Sequence, residues 1–210
     1  MTTLPLRLHP RISDRLLPGF LFSLWAILIL VAAEADTPLE IGRKLGSVAF
    51  TGLAGYLFVM RAPRRGQRAS VVGGTVALAG SFIPLALTLA PPQSNQLLVA
   101  IGTSMTVVGL ALSVYALAAL GRCFGLFPEA RGLVTRGPYQ LVRHPLYMAE
   151  FIVVGGIVVS SLSAIAVAFY LALVALQVWR ALNEERALMT VFPEYEAYRA
   201  TTARFVPFAW

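Results

Sequence analysis

Charge is what this chain lacks most. Asp, Glu, Lys and Arg make up 13% of its residues while 58% are hydrophobic. With a mean hydropathy of +0.74, this excludes an ordinary soluble domain, in which about a quarter of the residues are charged. Cysteine is nearly missing too. Cys123 stands alone, so an intrachain disulfide is excluded and the residue reads as a small buried or interfacial side chain. No GxGxxG segment is present, which excludes the glycine-rich turn of a dinucleotide-binding Rossmann unit. No repeat, low-complexity tract or long linker breaks the chain.

Long apolar runs are what it has instead. A helix needs about 20 apolar residues to cross roughly 30 Å of hydrocarbon, and the runs 16–33, 45–60, 69–90 and 97–120 are each almost free of charge. The run 145–179 would measure roughly 52 Å as one helix at about 1.5 Å per residue, too long for a single crossing. Ser160-Ser161-Leu162-Ser163 interrupts it, so the pattern predicts a helical hairpin over about 146–160 and 162–182. The predicted fold is all-α: a polytopic helical membrane protein of about six transmembrane helices. An N-terminal four-helix membrane region, 1–120, precedes a C-terminal region, 121–210, made of a loop, the hairpin that carries the active site, and a terminal cap.

The arrangement of charge supports six crossings, because basic residues collect on the cytoplasmic side of a membrane. With the N-terminus inside, 15 of the 17 basic residues fall in cytoplasmic segments, and only Arg43 and Lys44 face outward. Both termini and both polar clusters of the C-terminal half are then cytoplasmic, as expected of a multi-pass protein of the plasma or inner membrane. The pI of about 10.2 follows from basic loops beside an anionic leaflet. Spread over four loops, that charge gives no patch for nucleic acid. Arg15, the run 16–33 and Ala33-Glu34-Ala35 resemble the parts of a signal peptide, but the run is long for that role. Gly42 with Gly46, and Gly121 with Gly125, have the four-residue spacing that lets helices approach closely.

The chemistry concentrates in RGPYQLVRHPLY at 136–147 and RALNEERAL at 180–188. Pro145 suits the first turn of a helix, so Arg143 and His144 precede the span, and His144, Tyr147 and Glu150 share one face. Glu150 lies inside an apolar span, where a carboxylate is either paired or functional. On the last span Gln177, Arg180 and Glu184 form a polar stripe, with Glu185 turned aside. Taken singly, the Arg180–Glu184 pair is a solvated ion pair and RHPLY an interfacial anchor. The hairpin turn changes both readings, since it brings His144, Tyr147, Arg180 and Glu184 to one cavity able to hold a zwitterionic ligand. The aromatic tail FPEYEAYRATTARFVPFAW reads either as interfacial anchors or as a cap over that cavity.

LGRCFG at 120–125, LVTRGPYQLVRHPLY at 133–147, EER at 184–186, then Phe192, Tyr195, Tyr198 and RFVP at 204–207 resemble the isoprenylcysteine carboxyl methyltransferases, integral membrane enzymes related to phospholipid N-methyltransferases. The resemblance implies S-adenosyl-L-methionine as cofactor. It would be held by Gly132, Leu133, Val134 and Tyr139, by His144, Pro145, Leu146 and Tyr147, and by Glu184 with Glu185. Arg180 would face a lipophilic or small-molecule methyl acceptor entering from the bilayer, with Arg143 and Glu150 beside it as catalytic candidates. No metal site, nucleic acid or obligate protein partner is implied. Departures from the family pattern, among them the short glutamate run, FPEYEAY and Glu150 itself, favour a small enzyme with an acceptor other than a prenylated protein. A nicotinamide-dependent sterol-reductase type resembles the same C-terminal pattern but has a longer N-terminal bundle, and a non-catalytic membrane scaffold or carrier would bind no cofactor.

Overall fold

The computed structural model describes residues 37–66, 72–77, 80, 93–127 and 129–207. The expected span 16–33 with its signal-like flanks, most of 69–90 and Trp210 lie outside the described residues. Among those described the regular structure is helical: α1 (Pro38–Met60), α2 (Gln96–Leu120), α3 (Pro145–Ser161), α4 (Ala164–Val191) and α5 (Tyr195–Thr201), with short 3-10 turns at Gly121–Cys123 and Gly137–Gln140. Residues 72–77 are helical as well. Strand-like pairing among the described residues is confined to the parallel bridge between Val142 and Ala203.

Each helix end has a local cause. At the start of α1, Thr37 accepts from the Glu40 amide while the Glu40 carboxylate accepts from the Thr37 amide at 3.1 Å, a reciprocal capping box. Asn95 caps α2 by accepting from Leu97 N at 3.0 Å. Gly121, at φ 54°, ends that helix in the left-handed region where a side chain would be strained. The hairpin expected from the serine run is present. α3 closes on Leu162 at φ 42° and α4 opens from Ser163. Gln93 donates to the α3 end through its amide to Ser160 O and its side chain to Val159 O, both at 3.0 Å, which ties the start of α2 to the end of α3 and sets the two antiparallel.

Two described helices are long and apolar enough to cross a membrane, Gln96–Cys123 and Ala164–Val191, and α3 is a shorter apolar helix. Of the six expected crossings these two stand on length and composition; α1 contains the run 45–60 but opens with Glu40, Arg43 and Lys44. The surfaces of α2 and α4 present Leu97, Ile101, Val108, Ile165, Val167, Phe169 and Leu171 outward. Apolar surface on that scale suits lipid and not water.

Contact between helices runs through small residues, as it must where lipid gives no hydrophobic drive to pack. Gly102 and Gly109 of α2 lie directly on α3. A methyl added at Gly109 would meet Val153 N at 2.7 Å and Ala149 O at 3.1 Å, and one at Gly156 would meet Thr106 N at 2.8 Å. Gly42 and Gly46 seat Val107 and Leu110, so that spacing does join α1 to α2. The Gly121/Gly125 spacing does not join helices, a correction to the sequence reading. Gly121 terminates α2, and Gly125 lies in the following loop against the Arg131 side chain. Gly109→Val and Gly156→Leu are expected to destabilise the purified protein by about 1–3 kcal/mol through overpacking. Gly52→Ala, whose methyl meets nothing within 4 Å, is expected to stay within about 0.5 kcal/mol; thermal melts in detergent that leave all three alike would refute close packing of α2 on α3.

Candidate functional site

His144 occupies the N-cap position of α3 and Pro145 its first turn, so the sequence Arg-His-Pro delivers two polar side chains to the helix entrance while proline removes an amide that would have gone unpaired. Because the hairpin folds α4 back along α3, the last turns of α4 reach this entrance. Three polar contacts bridge the two helices. Tyr147 donates its hydroxyl to Glu184, Gln177 donates to Glu150, and His144 Nε2 lies 3.1 Å from Glu185 Oε1.

Glu185 is the most heavily engaged group. It is 3% exposed, and Arg143 Nε and Arg204 Nε each donate to its Oε1 at 3.0 Å while Arg204 donates to Oε2 at 3.1 Å. Glu185 does turn aside from the stripe of Gln177, Arg180 and Glu184, and it is buried there by partners that the sequence did not reveal. One residue beyond Glu184 on a helix is a rotation of about 100°, and the chain wraps round to meet it there. Arg143 Nη1 also donates to the carbonyls of Arg199 and Thr202. The amides of Arg143 and His144 donate to Ala203 O and Arg204 O at 2.8 and 3.0 Å. The C-terminal segment is thus laid along Val142–His144, and Phe205 packs on His144 and Phe151, as a cap would.

Glu184 and Arg180 line the other side of this knot. Glu184 keeps a quarter of its side chain exposed, with His144 Nδ1 at 4.0 Å. Arg180 is 4% exposed and donates to Gln177 Oε1 and to Leu126 O, both at 3.0 Å. Its guanidinium sits 5.1 Å above the Tyr147 ring, which in turn stacks on His144. A Cβ at Gly80 would lie 3.6 Å from Gln177 Oε1 and 3.8 Å from Arg180 Cδ, so the chain at Gly80 covers this point.

The remaining predicted residues surround that centre. Tyr139 is buried and its carbonyl accepts from the Tyr198 hydroxyl at 2.5 Å. Its own hydroxyl is buried with no hydrogen-bond partner among the described residues, and burial together with the Glu184 carboxylate holds it protonated, well above the usual phenol range. Gly132 backs onto Cys123, Leu133 packs against Ala130, Phe192 and Tyr195, and Val134 is half-buried. Pro145 is buried in the first turn of α3, and Leu146 packs on the cluster of Ala54, Leu57, Phe58, Leu117 and Phe124. The anchoring role of Arg204 and the pairing of Val142 with Ala203 were missed from sequence. The only hint was the RFVP motif, whose partner is not visible without the fold. An apolar groove lined by Ala100, Ile101, Ser104, Met105, Val108 and Ile152 carries no ionisable group and lies apart from this chemistry.

Breaking the buried knot is expected to be costly. Glu185→Gln should lose about 3–5 kcal/mol because it leaves buried Arg143 without its counter-charge. Arg204→Ala should lose only about 1 kcal/mol, its side chain being 33% exposed and screened. Chemical denaturation in mixed micelles would decide the ranking, and equal losses would refute it. Burial pushes the Tyr198 hydroxyl up to about 12 from its ordinary value near 10. A raised acid pKa gives stability that is present below about pH 10 and is lost as pH climbs through about 12. Tyr198→Phe should flatten the fall of melting temperature between those pH values; an unchanged slope would show that Tyr198 does not titrate with folding.

The region holding this site has known relatives. Residues 97–195 match the phospholipid methyltransferase family. A cobalt-zinc-cadmium resistance protein, CzcN, of Cupriavidus metallidurans is 38% identical over 77 residues, covering 36% of this chain and 35% of its own. A nickel-cobalt-cadmium resistance protein, NccN, of Alcaligenes xylosoxydans xylosoxydans is 36% identical over 77 residues, covering 36% of each. The chain thus spans about a third of the length of the curated relatives it matches. That family match runs from α2 through the hairpin to the start of α5 and so contains the polar contacts between α3 and α4 described above.

Proposed function

We propose that this chain is an integral membrane methyltransferase that takes its methyl group from S-adenosyl-L-methionine and passes it to a membrane-partitioned lipid, isoprenoid, or small thiol, amine or carboxylate. The observation that carries this reading is the convergence of His144, Tyr147, Arg180 and Glu184 at the joined ends of the α3–α4 hairpin. Two buried polar atoms there, the Tyr139 hydroxyl and Arg180 Nε, have no hydrogen-bond partner among the described residues, whereas buried polar groups are ordinarily hydrogen-bonded. A ligand with an ammonium, a carboxylate and ring and ribose heteroatoms offers partners for both and for the exposed edge of Glu184.

In this reading Gly132, Leu133, Val134 and Tyr139 hold the nucleoside part, and His144, Pro145, Leu146, Tyr147 and Glu184 hold the rest. When bound, the cofactor supplies an electrophilic methyl group on a sulfonium centre. The protein accelerates such an in-line transfer chiefly by alignment and by excluding water where charges neutralise. Arg180, held by Gln177 and Leu126, orients the acceptor; Glu150, held by Gln177, takes or holds an acceptor proton. Glu185 and Arg143 act as positioning residues, since both Glu185 oxygens are already occupied by protein. The polar cluster and both termini face the cytoplasm, and the acceptor enters from the bilayer.

Calorimetric titration of S-adenosylmethionine and S-adenosylhomocysteine into the detergent-purified chain tests this. Wild type should bind both, and Glu184→Ala and His144→Ala should each weaken binding about tenfold or more, about 1.4 kcal/mol. A wild type that binds neither compound, or that takes NADPH instead, would overturn the assignment.

A further inference from the structure

One face of α2 has no part in the chemistry above. Ile101, Ser104, Val108, Leu112 and Tyr115 follow one another along it at three- and four-residue steps, the spacing that keeps side chains on one side of a helix. Ile101, Ser104 and Val108 line the apolar groove of about 450 Å³ that Ile152 of α3 borders. Leu112 is 36% and Tyr115 56% exposed, so the apolar face continues out of the groove towards the end of α2. From Ile101 to Tyr115 it runs about 21 Å.

At that end the chain becomes basic. A Cβ on Gly137 would lie 3.4 Å from the Tyr115 hydroxyl and 3.7 Å from Ala119 Cβ, so Gly137 sits on the last turns of α2 and carries Arg136 to the Tyr115 end of the face. Arg136 is exposed, and among the described residues its side chain has no hydrogen bond or ion pair. Arg122, two residues past the end of α2, donates Nε to Met60 O at 2.9 Å. Its two terminal nitrogens have no partner among the described residues. The one acid between Gly121 and Arg143 is Glu129, and Arg131 at 2.8 Å and Arg64 at 3.8 Å already hold it.

An apolar face that ends in guanidinium groups fits an amphipathic ligand with an anionic head. A soluble polyanion would use the arginines and leave the groove empty, and a zwitterionic lipid would bring its cation to a stretch whose single carboxylate is taken. We infer that α2 carries a binding site for an anionic phospholipid, its acyl chain in the groove and along Leu112 and Tyr115, its phosphate at Arg136 and Arg122. The tail selects little, because lipid is as apolar as any leucine surface. The phosphate selects, since the fork of an arginine matches it with two parallel hydrogen bonds. Each arginine near a membrane surface favours an anionic lipid about fivefold. The site is independent of the cofactor and of the methyl acceptor.

Native mass spectrometry of the purified full chain in maltoside micelles, titrated with phosphatidylglycerol, phosphatidylcholine and glycerol phosphate, tests this. Wild type should retain phosphatidylglycerol at a concentration lower than phosphatidylcholine by about fivefold or more, and should retain no glycerol phosphate. Arg136→Gln should cut that preference about fivefold, whereas Arg186→Gln, at an exposed arginine on α4, should leave it unchanged. Ser104→Phe fills the groove and should weaken both lipids alike; the Ser104 hydroxyl bonds only its own helix, at Ala100 O. Without added lipid Arg136→Gln should melt as wild type does, which separates a lost lipid contact from misfolding. Equal retention of the two lipids, glycerol phosphate held as firmly as phosphatidylglycerol, an Arg186→Gln loss matching that of Arg136→Gln, or wild-type lipid binding by Ser104→Phe would each overturn the inference.

Discussion

The C-terminal half of this molecule depends on one buried carboxylate. Glu185 accepts from Arg143 and Arg204 and contacts His144, and so joins three stretches of chain: the entrance of α3, the end of α4 and the segment after α5. Two buried charges of opposite sign are worth keeping only when their hydrogen bonds are fully met, and here they are met on both oxygens. Arg143 adds two backbone carbonyls to the knot, and the pairing of Val142 with Ala203 continues it along the backbone. Together with the Phe205 ring on His144 and Phe151, this knot holds the terminal segment against His144. His144 is held by this buried carboxylate, with Glu184 beside it.

A different constraint governs the apolar part. Lipid is as apolar as any leucine surface, so helices are held together by close approach. α2 achieves it through Gly102 and Gly109, and α3 through Ala149 and Gly156. This contact fixes where α3 begins relative to α1 and the loop 121–131, which is itself bound to the end of α1 by Arg122 to Met60 O, Ala62 N to Arg122 O and Arg131 to Ala62 O. The polar end of the hairpin is therefore presented to a loop already anchored elsewhere. Arg180 reaches across to Leu126 O in that loop, and the two halves of the site are brought together by helix packing more than by attraction between them.

Much of this was legible from residue types. A run too long for one crossing, broken by three serines, announced the hairpin, and a proline after Arg-His located the start of α3. The recurrence of His144, Tyr147 and Glu150 put those side chains on the face that meets α4. The partner of each was harder to see. A helical period says which residues share a face, but the register between two helices is set by small-residue contacts and by the geometry of the turn. Glu150 was expected to be paired or functional, and the structure gives it Gln177. Taken singly Arg180 and Glu184 read as an ion pair, and the hairpin turn was expected to bring both to His144 and Tyr147; Arg180 meets Gln177, Leu126 O and the Tyr147 ring, while Glu184 takes the Tyr147 hydroxyl.

By itself the sequence determined the helical class, the hairpin and its polar mouth, because hydrophobic period, proline placement and the energetic penalty on charge in an apolar run are local properties. Only the tertiary structure decided what Glu184 and Glu185 each do. They are adjacent in sequence and identical in chemistry, yet one is a quarter exposed beside Tyr147 and the other is buried under two arginines. That difference arises from a rotation of about 100° on the helix and from where a distant segment, carrying Arg204, returns to meet it. Neither can be read from the order of residues alone, since a carboxylate takes its role from what surrounds it.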